Sequence, residues 1–502
     1  MKFSYTRSCA VTRSLLFICL FFSMISQAQV GIGNTNPDAS SALDIKSTTQ
    51  GLLAPRMTSA QRLAITLPAN SLLVYDTTLK SFYYYDLPST TWVKINASTN
   101  QRNNYKLVKS VADLAPELVS GGGSKYLLQT NTLYEINGLI TLAFPIDLND
   151  AYVSGLDANE DILSFPGGTV FKGNIGGSIR NVTLKGAKAF EITGPGIATA
   201  TSLLVQNTVV DGMTTSVGSI SGIGLYFGNI VQFINNIAGI TYTNIGNCLL
   251  NNQAWLATNS GTFETFSGTF GLIEKVSGFS SLNGSDVAMD VSSDPTVGSG
   301  VLLGTVFSGT TTAPSGYIKK YTSGSYTGFN FTKNWSVNSP GIPRESDDVA
   351  TGNINLTASI STPVNTTLTG TGISSRKKLN GPTTSTDLFR FERSGNNRLI
   401  YKGNKKRFFQ VNASLSFSTS FTGSPLVTTY VLYIAKGSGA GSASVIQETR
   451  VYGRLTTSTS EVIAVPILGT IELDTDDFIE VWAERESGNG NIESASLNAT
   501  IN

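Results

Sequence analysis

Apolar residues in this chain come in short runs that end on Gly or Asn, with little of the three-to-four spacing that marks a helix. Between 126 and 345 the runs fall at 179–184, 203–207, 230–234, 240–242, 248–252, 270–273, 287–291 and 301–303. Val182 to Val205 and Leu249 to Leu272 share a step of about 23 residues, a period typical of solenoids. Asn at the end of such a run suits a solenoid corner, because it tolerates left-handed backbone and its side chain stacks in ladders. The pattern predicts a right-handed parallel β-helix over 126–345, with about eight coils rising about 4.8 Å each.

The flanking segments read differently. Residues 29–98 form a small module, with strands at 71–75, 81–85 and 91–95 and a short helix at 58–65. Thr58 and Gln61 have the spacing of a capping box there. Residues 99–125 are polar, carry Gly121-Gly122-Gly123, and read as a connector. From 346 to 502, strands are expected at 397–401, 407–418, 429–435, 444–452, 462–471, 478–484 and 495–501, with Ile354 to Leu368 as a stalk or first strand. Seven or eight strands with regular turns suggest a sandwich or jelly roll.

Composition agrees with an all-β fold. Charged residues are 14% and Gly numbers 50, which favours tight turns over long helices. Residues 1–28 carry Lys2, Arg7 and Arg13, an apolar run and Ser26-Gln27-Ala28, and read as a signal peptide cleaved after Ala28. No integral membrane span is expected in the mature chain. Its 32 basic and 34 acidic residues give no global field for nucleic acid. Cys9 and Cys19 leave with the leader, so Cys248 has no partner for an intrachain disulfide. There is no histidine, which excludes Ser-His-Asp and Cys-His catalysis and any His-ligated metal.

Two resemblances follow from longer motifs. The stretch VGIGNTNPDASSALDIKSTTQGLLAPRMTSAQR, with LLVYDTTLKSFYYYD and TWVKI, resembles the N-terminal module of secreted proteins of Bacteroidetes-type bacteria and of tail-fibre-like proteins of their phages. It implies surface location, fibre architecture and no enzymatic activity. RLIYKGNKKRFFQVNASLSFS, YVLYIAKG and ELDTDDFIEVWAERESGNGNI resemble tumour-necrosis-factor-like and complement-type jelly-roll heads. That resemblance implies a homotrimer with a binding head, and puts Phe408, Tyr433 and Trp482 at core or trimer-interface positions.

Several residue groups carry candidate chemistry. Asp157, Glu160 and Asp161, with Asp147 and Asp150 nearby, are the densest carboxylates, and polysaccharide hydrolysis needs a carboxylate pair. The same LDANED stretch reads equally as a turn. Asp286 and Asp290 form a second pair. Glu472, Asp474 and Asp476, followed by Asp477, offer oxygen ligands for calcium, or a polar turn ahead of a strand. Lys405, Lys406 and Arg407, with Arg376, Lys377, Lys378 and Lys402, make the last unit locally basic and suited to acidic glycans, or simply a solvated hairpin tip. Tyr317, Tyr321, Tyr326 and Trp335 are candidates for stacking on sugars, and Trp255 reads as core. Gly31-Ile32-Gly33 is too short for a nucleotide loop.

These readings converge on an extracellular, non-enzymatic surface or fibre protein that recognises cell-surface or environmental glycans as a homotrimer. Two alternatives stand beside it: a phage tail fibre or receptor-binding protein, and a β-helix polysaccharide lyase or hydrolase.

Overall fold

The computed structural model describes residues 29–95, 104–310, 316–421, 427–456 and 461–502. The segment 1–28, expected as a leader, lies outside the described residues. The chain divides into two compact units, 1–101 and 102–502.

In the first unit, Val30–Ile32 pairs in parallel with Leu43–Ile45. Arg56–Met57, Leu73–Asp76, Ser81–Asp86 and Thr91–Lys94 form a second sheet, close to the expected strands. The helix is Ser59–Leu63, and Thr58 and Gln61 make the expected capping box. Its Arg62 is buried, pairs with Asp76 at 3.0 Å, and lies 4.2 Å from the Tyr83 ring centroid. Burial pushes the Asp76 carboxyl up. The Leu79 and Thr78 N–H groups, the Ser59 hydroxyl and the Arg62 guanidinium outweigh it and hold the group down at about 2.

The second unit opens with a parallel β-solenoid of three sheets, called A, B and C here. Sheet A stacks ten rungs, from 105–108 through 133–136, 152–154, 177–180, 202–206, 225–229, 247–251, 272–276 and 299–303 to 335–338. Sheet B runs from 139–141 to 306–309, and sheet C from 126–127 to 318–319. The first rung lies inside the segment expected to be a connector. That segment is a lid on the open end of the solenoid: a 3-10 turn, Val111–Leu114, and a helix, Ala115–Ser120. Buried Glu117 on that helix accepts from the Tyr134 hydroxyl at 2.9 Å and the Lys106 ammonium at 2.6 Å. The Gly-rich stretch that looked like a linker closes the turn after it, with Gly122 and Gly123 at positive φ.

Corners follow the expected chemistry. The A-to-B corner falls on one left-handed residue per coil: Asn181, Asn207, Ile230, Asn252, Ser277 and Gly304, with φ between 47° and 67°. Asn207 donates to Asn181 at 3.2 Å, the start of a side-chain ladder. The expected register was off by two or three residues. Leu249 stacks on Glu274 and Asn247 on Leu272, while Val205 stacks on Ile179. Coil length varies, so a single period cannot fix which residues stack.

Inward columns fill the lumen. Val153, Ile179 and Val205 stack in sheet A, and Leu184, Val210, Phe233 and Trp255 in sheet B. Trp255 lies 4.5 Å from Phe263, centroid to centroid. One inward pair is charged. Lys275 of sheet A, between Leu250 and Leu302, reaches Glu264 of sheet C at 3.0 Å, and both are buried. Burial pushes the Glu264 carboxyl up, against the pull of Lys275. Two buried asparagines tie successive B-to-C turns: Asn236 donates to Asn259 Oδ1 at 2.9 Å, and Asn259 to the Phe233 carbonyl at 2.6 Å.

Two antiparallel sheets follow and share one core. Arg407–Phe421 pairs with Ile463–Leu473 and Gly490–Ile501 in one sheet, and Thr428–Ser438 with Asp477–Ser487 in the other. The stretch expected as a stalk or first strand holds strands, Gly352–Leu356 and Val364–Thr366, both paired to Gly490–Ile501. The strand expected at 444–452 is two, Ser444–Val445 and Val451–Leu455, split by a 3-10 turn where Thr449 Oγ1 bonds the Ile434 and Ile446 backbone. Phe408 is 68% exposed and Phe409 fills the core, because strand alternation lets only one of the two point in. Tyr433 is buried against Arg376 and Glu484. Among the described residues no helix is long and apolar enough to cross a membrane.

Two stability tests follow. Ile230 is a β-branched residue in left-handed backbone, and Ile230→Asn is expected to add about 1 kcal/mol, read as a higher urea midpoint. Lys275→Met strands a buried carboxylate and is expected to cost about 3–5 kcal/mol, most of it recovered when Glu264→Leu is added; tryptophan fluorescence during unfolding reads both.

Candidate functional site

The last sheet A rung ends the solenoid and begins the site. Trp335 is its inward residue and sits next to Gly300 on the rung before. A Cβ on Gly300 would lie 2.2 Å from the indole, so glycine is what lets the ring close over the lumen. The indole N–H donates to the Tyr321 hydroxyl at 3.1 Å, which donates to the Pro295 carbonyl at 2.9 Å. Trp335 is 2% and Tyr321 3% exposed, so both plug the lumen and neither offers a face to a sugar. Tyr317 is half-buried against Phe307, and Tyr326 meets the edge of Phe389.

The sandwich docks on this end through a buried guanidinium. Arg390 donates to the Trp335 carbonyl at 2.7 Å and pairs with Asp347 at 3.3 Å. Buried Glu345 accepts the Phe331 and Asn330 N–H groups at 2.9 and 2.8 Å, and burial pushes its carboxyl up against those bonds. Asp347 Oδ2 also accepts the Asn404 and Lys405 N–H groups, each at 2.9 Å, and Arg407 donates to the Asp347 carbonyl.

A groove of about 370 Å³ lies beside this joint, walled by Ser299, Ser336 and Asn338 of the solenoid edge and by Lys333, Asn404 and Lys405. Asn404 donates to the Lys333 carbonyl at 3.0 Å, which joins the two walls. Among the described residues neither Lys333 nor Lys405 makes a close ion pair, though Lys333 helps hold the Asp476 carboxyl down; both ammonium groups line the groove. The one carboxylate in the groove, Asp347, is committed to the joint. Glycoside hydrolysis needs two; hydrogen bonding and charge recognition need only what is present. Lys405 was among the sequence candidates. Lys333, Asn334 and Asn404 were not, because nothing local marks a residue whose neighbours come from 70 positions away.

The other candidates lie apart. Asp161 is buried and accepts three backbone N–H groups, from Leu156 at 2.7 Å, Gly138 at 2.8 Å and Asp157 at 3.1 Å. Burial alone pushes its carboxyl up, but those bonds outweigh it and the net shift is down. Asp157 caps its own turn through the Asn159 N–H, and Glu160 is exposed. Glu472 pairs with Lys406 at 2.9 Å, Asp476 with Lys402 at 2.8 Å, and Asp477 with Lys436 at 2.8 Å, while the N–H of Asp474 donates to Asp477. Among the described residues no group of three Asp, Glu, Cys or His side chains could hold a metal ion. Asp290 pairs with Lys319 at 2.9 Å.

Fold and site together define a parallel β-solenoid joined end-on to an antiparallel sandwich. Residues 31–106 match a family described as a phage tail like trimerisation region. No curated protein matches the chain in sequence. Among solved structures, the chain is similar to murine APRIL (12% identity, TM-score 0.20, 30% of this chain and 98% of that one). It is also similar to the enzymatically active domain of tailspike protein 4 of bacteriophage CBA120 (11%, 0.19, 90% and 77%) and to the tailspike of Acinetobacter baumannii phage AM24 (10%, 0.18, 86% and 91%). Scores this low carry no functional argument.

Asp161→Ala is expected to destabilise the solenoid by about 1–3 kcal/mol, since three N–H groups lose their buried acceptor, while Glu160→Ala leaves it unchanged. Because the Asp161 carboxyl is held below its ordinary 3.8, its contribution is present above that pH and fades as pH falls beneath it. An acid titration of wild type against Asp161→Asn reads the difference.

Proposed function

We propose that this chain is the protomer of a homotrimeric, tail-fibre-like recognition protein that holds an acidic surface glycan without cleaving it. The observation that carries the reading is the trimerisation-region match at 31–106, leading directly into a parallel solenoid and a terminal sandwich. It moves the weight from a bacterial surface adhesin to the tail-fibre alternative. Glycan recognition draws on the junction groove, where the Lys333 and Lys405 ammonium groups and several amides and hydroxyls suit a carboxylated sugar. Three such grooves on one trimer would gain effective concentration from one another.

A second reading, a secreted bacterial adhesin built from the same parts, is favoured by the leader pattern at 1–28. Finding Met1 retained in virus particles would decide against it, and finding the mature protein starting at Gln29 on a cell surface would decide for it.

Mass photometry of residues 29–502, followed by a glycan array, tests the proposal. A trimer that binds acidic glycans and leaves them intact is expected. Lys333→Ala with Lys405→Ala should weaken that binding about tenfold, equivalent to about 1.4 kcal/mol, with the trimer unchanged, and added salt should weaken the wild type in the same direction. A monomer, or a sample that shortens the glycan, would sink it.

A further inference from the structure

The outer surfaces of sheets A and C differ in kind. Sheet C shows hydroxyls outward on successive coils, Ser219, Thr241 and Thr265, bounded by the ion pairs Lys172–Glu191 at 2.7 Å and Lys319–Asp290 at 2.9 Å. Such a surface is at ease in water. Sheet A shows the opposite. Its outward column reads Leu204, Phe227 and Leu249 on three consecutive rungs, and Leu225 and Leu272 flank it two residues upstream. These side chains are half-buried by their own neighbours and present their remaining surface outward. Stacked about 4.8 Å apart, they form a continuous apolar stripe of the kind that marks an interaction surface.

The N-terminal end of this stripe identifies what covers it. The trimerisation-region match ends at residue 106, and Tyr105–Val108 is the first rung of sheet A. Tyr105 pairs with Leu133, which pairs with Tyr152, in the same outward column that later carries Leu204 and Phe227. The match therefore reaches the first rung of the sheet that carries the apolar face. A cyclic trimer needs a surface repeated along its axis on every copy, and an in-register parallel column supplies one.

We propose that the outer face of sheet A is where the solenoids of three copies of this chain meet, with sheet A toward the three-fold axis and the hydroxyl face of sheet C outward. The proposal rests on the homotrimer reading and adds which surface is shared. Burial of Leu204, Phe227 and Leu249 against their counterparts removes the sheet A column from water. Glu274 and Ser178 interrupt it, and Ser178 is already covered by the Arg180 guanidinium at 3.3 Å.

Spin-label distances between copies test this on the whole mature chain. Tyr152→Cys labels the sheet A face at an exposed position (43%), and Thr241→Cys labels sheet C; native Cys248 is buried and stays unlabelled. Opposite faces are about 10 Å or more apart, and a three-fold axis multiplies the difference in radius by about 1.7. The Tyr152 label should therefore give the shorter distance by roughly 15 Å. A trimer in which the Thr241 label gives the shorter distance overturns this proposal alone. A monomer by mass photometry overturns it together with the trimer reading. Phe227→Ser supplies a label-free check: it should lower the thermal midpoint of the trimer more than Thr241→Ser does, and equal midpoints would count against the interface.

Discussion

Everything in the second unit depends on one constraint: a coil's backbone N–H and C=O groups find their partners only on the coils above and below. The stack is stable in its middle and unsatisfied at both ends, since exposed strand edges are open templates for further pairing. The two ends are closed by different means. At the start, the helix Ala115–Ser120 lies over the lumen and Glu117 draws Tyr134 and Lys106 into it. At the finish, Trp335 fills the lumen above Gly300, and Arg390 of the sandwich binds the Trp335 carbonyl. The sandwich is thus both a head and a lid.

The lumen shows what close stacking demands. Most inward columns are apolar, and aromatic rings such as Phe233, Trp255 and Phe263 pack against one another across coils. Lys275 and Glu264 break this rule together. Neither would be stable there alone, since a lone buried charge is far costlier than a paired one. Their contact crosses from sheet A to sheet C, so it links two walls as well as two charges.

Much of the architecture was legible in the sequence, and the failures have physical causes. Asn181, Asn207 and Asn252 were readable as corners because left-handed backbone is a local demand that a single residue type meets. Thr58 and Gln61 were readable for the same reason. Coil register was not, because it depends on how many residues each turn spends outside the ladder. Sheet A's first rung was missed because its inward Lys106 reaches Glu117 of a polar cap instead of extending an apolar run. Phe408 and Phe409 are adjacent and chemically identical, so only pairing decides which points inward. Trp335 looked like a sugar platform because its surroundings are rich in Gly and Ser; those small residues make room for the ring to be buried. The groove beside it joins residues 299 to 405, a conjunction that no local pattern encodes.

The way the head is sewn on has a mechanical consequence. The first strand of the sandwich, Gly352–Leu356, lies antiparallel to Gly490–Ile501, with Gly352 opposite Ile501, and the latter strand is also paired along its length to Arg407–Phe421. A pull along the chain between the sandwich and the solenoid would enter the sandwich at Gly352 and load these hydrogen bonds side by side, in shear. Bonds in shear must fail together, whereas bonds at the end of a hairpin fail one at a time. Arg390, Glu345 and Asp347 brace the same point from the solenoid side. The joint is thus arranged so that tension along the chain meets many bonds at once.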